Sequence, residues 1–194
     1  MDKLVVITTL LLLPAAYFAG SVNFAILLFR WQGLEDPRGR HSGNPGVSNV
    51  YRQGGLFWAG AVLLAELSKS AALGWITLKL LPPQGLPWVA LSLLIGNRWP
   101  CFHQFRGGKG IANFLGFCLP LISPLLLMAG FGAYLVVLKW KRTAFLASFA
   151  LLGFLLGGLA LKVGPDPAGL TGMLLCTALI IASHRSNIKT LLAG

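Results

Sequence analysis

Long apolar blocks alternate with shorter polar segments along this chain. Six blocks can be read, over residues 4–29, 54–81, 86–104, 111–138, 144–162 and 168–183. A helix needs roughly 20 apolar residues to cross a hydrocarbon core about 30 Å thick, so each block is a candidate span. The fourth carries Pro120 and Pro124 near its middle, and proline ends helices readily. We read it as two short crossings with a break over residues 119–124, each half roughly 14 residues or 21 Å long at 1.5 Å per residue. Bilayer thinning and shielding by neighbouring helices absorb that mismatch. The expectation is an all-α, polytopic integral membrane protein of about seven transmembrane helices, forming a single domain over residues 1–194. Met1-Asp2-Lys3 and the residues after it imitate a signal peptide, but the apolar stretch continues past Pro14 to Phe29. A retained first span is expected instead.

Composition strengthens this picture. The 194 residues are 56% hydrophobic and only 11% charged, against roughly 25% charged in a soluble domain. Such a chain has too few polar groups to cover a water-facing surface, and no separate soluble domain fits beside the spans. Sixteen Lys and Arg against five Asp and Glu give +11. That excess suggests nucleic acid, yet the basic residues sit between apolar blocks and form no long run, so no nucleic-acid partner is expected. Lys and Arg near span ends are kept cytoplasmic. Arg30, Arg38, Arg40 and Arg52 fall in the first long polar segment, and Arg98, Arg106 and Lys109 in the second. With two crossings in the fourth block, 12 of the 16 basic residues lie on one side, leaving Lys3, Lys69, Lys79 and Lys162. The N-terminus is then outside and the C-terminus cytoplasmic. Cys101, Cys118 and Cys176 have no paired spacing and are expected as free thiols, the last two buried. Gly153 and Gly157 form a GxxxG that suggests close helix packing within a monomer.

Three polar segments converge on one face under this topology. In Ser42-Gly43-Asn44-Pro45-Gly46-Val47-Ser48-Asn49-Val50-Tyr51-Arg52, Gly43 and Gly46 permit close backbone approach and Pro45 restrains the turn. Ser48 or Asn49 is placed to start a helix, whose N-terminus suits phosphate, with Arg52 on the face of Ser48. An ordinary turn and cap would read the same way. In the second segment Gly107, Gly108 and Gly110 surround Lys109, which suits an anion-binding loop. It is not a P-loop, because His103 stands where that motif requires Gly and Gly110 where it requires Ser or Thr. A flexible turn with a snorkelling lysine is the bland alternative. In the third, His184 and Asn187 share a helical face, as an interfacial histidine also would. Glu66 and Lys69, deep in the second block at i, i+3, are spaced to pair, since unpaired intramembrane charge is costly. Five acids, and His41, His103 and His184 without ligand spacing, leave no expected metal centre. No cofactor is expected. There is no GxSxG and no His-x4-Asp.

Taken together, SGNPGVSNVYR (42–52), GNRWPCFHQFRGGKGIA (96–112) and HRSNIKTLL (184–192) resemble the three signature segments of the bacterial PlsY family, membrane glycerol-3-phosphate acyltransferases that use acyl phosphate. Gly20-Ser21 and the Glu66-x-x-Lys69 pair are similar to further elements of that family, and the similarity spans essentially the whole chain. The resemblance implies transfer of a fatty acyl group from acyl phosphate to glycerol 3-phosphate, giving lysophosphatidic acid and phosphate. It implies a site facing the cytoplasm from a bacterial inner membrane, a monomer among membrane lipid, and association with a soluble acyl-phosphate synthase. Lys109, Arg52, His184 and Asn187 are the expected catalytic residues. Ser42, Gly43, Asn44, Gly46, Ser48, Asn49, Gly107, Gly108, Gly110 and Ser148 are the expected substrate-binding set. The chain departs from the family at Asn97 and Phe145, where His and Ser are usual, and at Glu66 and Ser70, where Asp and Gly are. Asn97 retains hydrogen bonding but not proton transfer. A diverged paralogue of low activity, or a small-anion transporter with a basic-lined pathway, are the competing readings.

Overall fold

The structure is a computed structural model that describes residues 3–193, and among these it is helical without strands. In chain order the helices are α1 (Lys3–Ser21), α2 (Phe24–Trp31), α3 (Val47–Leu80), α4 (Leu86–Arg98), α5 (Ile111–Cys118), α6 (Pro124–Lys141), α7 (Ala144–Val163), α8 (Pro167–Ser183) and α9 (Arg185–Leu192). By length and composition α1, α3, α6 and α7 are each long and apolar enough to cross a membrane, and α8 with α9, bent by 59°, adds a fifth if the pair is taken as one span. Leu10, Leu56, Leu64, Leu125, Leu135 and Leu161 stand exposed on the outside of these helices. Such side chains are stable there only against lipid tails. The interior is equally apolar, with Leu93, Leu94, Phe114, Phe117, Leu155 and Ile180 fully or almost fully buried.

Close approach holds the bundle together where small residues meet. A Cβ on Gly20 of α1 would lie 2.0 Å from the Leu93 carbonyl oxygen, and one on Gly96 of α4 would lie 2.0 Å from that of Tyr17. The two helices therefore cross at backbone contact, the arrangement small residues permit in lipid. Gly153 and Gly157 do not behave this way. A Cβ on either meets nothing within 4 Å, whereas Gly158 abuts Ile122 and Gly130 abuts Leu151 and Phe154. The close packing expected through the GxxxG is not formed: α7 meets α6 at Gly130 and the α5–α6 turn at Gly158 instead.

The first apolar block is broken where sequence reading expects one span. Asn23 ends the run and caps α2, its side-chain oxygen accepting from the Ile26 N–H at 3.0 Å. Lys69 donates to the Val22 carbonyl at 2.7 Å and to Glu66 at 2.7 Å, while Glu66 accepts from the Phe24 N–H at 2.9 Å. The pair spaced at i, i+3 is formed, and it satisfies backbone groups that the α1–α2 break frees in apolar surroundings.

The fourth block does break, between Cys118 and Pro124, with Ser123 capping α6. Its first half is shorter than expected: α5 has 8 residues, or about 12 Å at 1.5 Å per residue. So short a helix is tolerated because Asn113 to Cys118 are all buried against neighbouring helices. At the other long helix, α3 begins at Val47 with Gly46 as its cap, ahead of the expected Ser48 or Asn49, and kinks at Gly55 (φ 81°). Cys118 and Cys176 are buried free thiols, as expected, and Cys101 is half-buried and free.

Candidate functional site

The segment before α3 is tied down from several sides. Asn49 is buried, and its amide nitrogen donates to the Pro37 and Arg40 carbonyls at 2.8 and 3.3 Å. Asn23 donates to the Pro45 carbonyl at 3.2 Å. Arg38, held by both oxygens of Asp36, also donates to the carbonyls of His103 (2.8 Å) and Arg106 (2.9 Å). One guanidinium thus fastens the first polar segment to the second. The Arg38 hydrogen bond holds the Asp36 carboxyl below the usual range.

The second segment folds back on the end of α4. Gly107 and Gly108 donate to the carbonyls of Arg98 (3.2 Å) and Asn97 (2.9 Å), and a Cβ on Gly107 would lie 2.0 Å from the Asn97 carbonyl oxygen. Gly110, at φ 88°, turns the chain into α5. Lys109 is carried between these constrained glycines and donates to the side-chain oxygen of Asn187. Burial, followed by the nearby charges of Arg98 and Arg52, lowers its pKa below the ordinary lysine value.

His184 follows α8 and is 4% exposed. Its Nδ1 lies 2.9 Å from the Ile180 carbonyl oxygen. The imidazole is stacked on Phe145 (centroids 6.3 Å apart) and meets Phe149 edge-on (5.2 Å). Burial, opposed by the Ile180 hydrogen bond and aided by Lys109, lowers its pKa and so favours the neutral ring. A carbonyl only accepts, so Nδ1 carries the proton and Nε2 the lone pair.

These segments enclose a cavity of about 450 Å³. Its wall includes Ser42, Asn44, Gly46, Ser48, Arg52, Gly108, Lys109, Gly110, Ser148, His184 and Asn187. Gly43, Asn49 and Gly107 are not on it; Asn49 and Gly107 instead fix the backbone just behind. Ser148 donates to the Ala144 carbonyl at 2.8 Å. The rest of the wall includes apolar side chains of α3, α5, α6 and α7, namely Val62, Leu63, Leu115, Phe131, Tyr134 and Leu151. Sequence reasoning missed Arg142, Asn113 and Tyr134 as wall residues. Arg142 sits at φ 51° at the end of α6, and its sequence signal was present but served only the topology. Asn113 lies within an apolar block with nothing to mark it.

Every described carboxylate already has a partner, including Glu66, which is itself part of the cavity wall. Glu35 pairs with Arg40, Asp36 with Arg38 and Glu66 with Lys69, while Asp166 caps α8. Among the described residues, Arg52, Lys109 and Arg142 therefore line the cavity without an ion-pair partner. An anion entering it would meet positive charge, backbone N–H groups and an adjoining apolar wall. Among the described residues no three His, Cys, Asp or Glu side chains cluster to hold a metal ion.

Comparison with known proteins gives a consistent result. Residues 10–194 match the family model described as glycerol-3-phosphate acyltransferase. A glycerol-3-phosphate acyltransferase of Pseudomonas paraeruginosa is 38% identical over 188 residues, covering 95% of this chain and 96% of the relative. One from Ralstonia nicotianae is 37% identical over 195 residues, covering 97% and 93%. The crystal structure of PlsY, an integral membrane glycerol 3-phosphate acyltransferase, in its glycerol 3-phosphate form superposes with a TM-score of 0.86 at 31% identity, covering 96% of this chain and 93% of that one. Its lysophosphatidic acid form gives 0.83 at 30% identity.

Proposed function

Because the chain belongs to the glycerol-3-phosphate acyltransferase family, as a multi-pass membrane protein, we infer that it transfers a fatty acyl group from acyl phosphate to glycerol 3-phosphate. The products are lysophosphatidic acid and inorganic phosphate. One observation carries this reading: three cations without carboxylate partners, Arg52, Lys109 and Arg142, share a cavity with a partly apolar wall. Both substrates bring phosphate, and one also brings a fatty chain.

The acceptor hydroxyl oxygen attacks the acyl carbonyl carbon, and the bond from that carbon to the phosphate oxygen breaks as phosphate leaves. A mixed anhydride already has a good leaving group, so no nucleophile on the protein is required. Arg52 and Lys109 hold the phosphates, and Asn187 steadies the Lys109 ammonium. Alignment of the two substrates supplies up to roughly 7 to 11 kcal/mol, and each preorganised donor to developing negative charge about 3 to 4 kcal/mol. The hydroxyl proton goes to His184 Nε2 or to a substrate phosphate oxygen. A positioned base adds about 10² to 10⁴ in rate, less than positioning. Phe145 and Phe149 hold the imidazole in place.

In the membrane, α1, α3, α4, α5, α6, α7 and α8 are the seven crossings we propose, with the N-terminus outside. The cavity then opens to the cytoplasm from a bacterial inner membrane, where a soluble acyl-phosphate synthase can deliver the donor. The test is to incubate purified protein with labelled glycerol 3-phosphate and acyl phosphate, with acyl-CoA and acyl carrier protein as competing donors. Labelled lysophosphatidic acid from acyl phosphate alone is expected. Product from acyl-CoA alone would overturn the donor assignment.

A further inference from the structure

A chain of hydrogen bonds leads from the Glu66–Lys69 pair along the cavity wall to the lysine loop, and its polarity is fixed at every step. Glu66 Oε2 accepts from Lys69 Nζ at 2.7 Å and from Asn113 Nδ2 at 3.0 Å. An ionised carboxylate only accepts, so Asn113 must turn its nitrogen toward Glu66. Its oxygen accepts from Ser70 Oγ at 2.9 Å. The second hydrogen on Asn113 Nδ2 goes to Asn97 Oδ1 at 3.0 Å. Asn97 must therefore present its oxygen to Asn113 and its nitrogen the other way, because flipping it would set two amide nitrogens against each other.

That nitrogen is the end of the relay. Asn97 is 4% exposed, and its Nδ2 is buried without a hydrogen-bond partner. It lies beneath the lysine loop: a Cβ on Gly108 would be 3.1 Å from it, and one on Gly110 3.8 Å. Asn97, Gly108, Lys109 and Gly110 all line the cavity. Leaving a buried donor unmet costs free energy, and each such group calls for a reason. A ligand oxygen held beside Lys109 supplies one.

We propose that the Asn97 side-chain amide is a substrate-binding donor, oriented by Glu66 through Asn113, for a phosphate oxygen held by the Lys109 loop. The proposal rests on reading the cavity as an acyl-transfer site. The phosphate belongs either to glycerol 3-phosphate or to the acyl donor, and kinetics separates the two. Histidine also serves at this position, because one ring nitrogen accepts from Asn113 while the other donates. Aspartate does not: it keeps the acceptor for Asn113 and replaces the donor with a carboxylate oxygen.

The experiment uses the purified full chain in detergent, with thermal unfolding to confirm that each variant is folded. Each phosphate substrate is varied in turn at saturation of the other. Asn97→Asp is expected to raise KM for one phosphate substrate by about tenfold or more, as loss of a hydrogen bond to a charged group does, with the other KM little changed. The substrate affected identifies the phosphate. Asn97→His is expected to stay within about threefold of wild type on the same argument. Asn97→Ser, which removes the donor without adding charge, replaces Asn97→Asp should that variant not fold. Folded Asn97→Asp with both KM values unchanged overturns the proposal, and so does folded Asn97→His that loses as much as Asn97→Asp. If wild-type protein binds glycerol 3-phosphate but forms no acylated product, the acyl-transfer reading fails by itself. Titration calorimetry with glycerol 3-phosphate and with a non-hydrolysable acyl phosphonate then decides for Asn97, a tenfold weakening of either in Asn97→Asp supporting it and equal affinity for both overturning it.

Discussion

Two groups of cations lie within one bundle and do different things. Lys69 is half-buried in α3 against Glu66 and also donates to the Val22 carbonyl. Arg52 and Lys109 line the cavity without forming an ion pair, and Lys109 feels the charges of Arg98 and Arg52. The first cation is spent on structure, closing the α1–α2 break. The others are left for a ligand. A charge in a membrane protein thus acquires meaning from its partner, and the partner is visible only in three dimensions.

The sharpest way to break this contrast is to remove one cation from each group. Lys109→Ala and Arg52→Ala should each lower kcat/KM for acyl transfer by about 10² to 10³, the usual cost of a lost charge-stabilising donor, with the thermal midpoint almost unchanged. Glu66→Ala should act on the other property. It leaves the half-buried Lys69 without its carboxylate and the Phe24 N–H and Asn113 amide without their acceptor, a loss of at least about 1 to 3 kcal/mol, readable by denaturant unfolding in detergent. Equal stability of Glu66→Ala and wild type would erase the contrast.

His184 sharpens the account of the proton. Loss near tenfold in His184→Ala indicates that the ring orients substrate, whereas loss beyond a hundredfold indicates a base. The smallest effect is in pH dependence. Burial and neighbouring cations lower the Lys109 pKa, so the charge is present at low pH and lost as pH rises through a value below the ordinary lysine range. The alkaline fall of kcat/KM should therefore begin early, and Lys109→Arg should move it upward, since arginine stays charged throughout. A fall at the same pH in both proteins would assign it to another group.

The sequence pattern revealed much of this and omitted specific parts for physical reasons. Pro120 and Pro124 marked the α5–α6 break because proline acts locally. The α1–α2 break has one local sign, Asn23, within an apolar run. What sustains it is a pair more than forty residues later, which no local pattern connects to it. The motif segments 42–52, 96–112 and 184–192 each send residues to one cavity. Asn49 is not on its wall, because its amide turns back to hold Pro37 and Arg40. Asn113 was invisible because a lone polar residue in an apolar block gains significance only from Glu66, Ser70 and Asn97 around it. Arg142 was visible but entered only the count of cytoplasmic charges.

The central claim is that unpaired cavity cations bind the phosphate chemistry of acyl transfer. The most direct test is the initial rate of labelled lysophosphatidic acid formation from acyl phosphate and labelled glycerol 3-phosphate, in wild type beside folded Lys109→Ala. Steady turnover in wild type and a loss of at least about a hundredfold in the variant is the predicted result. Near wild-type turnover in the folded variant, or no product from wild type, would contradict it.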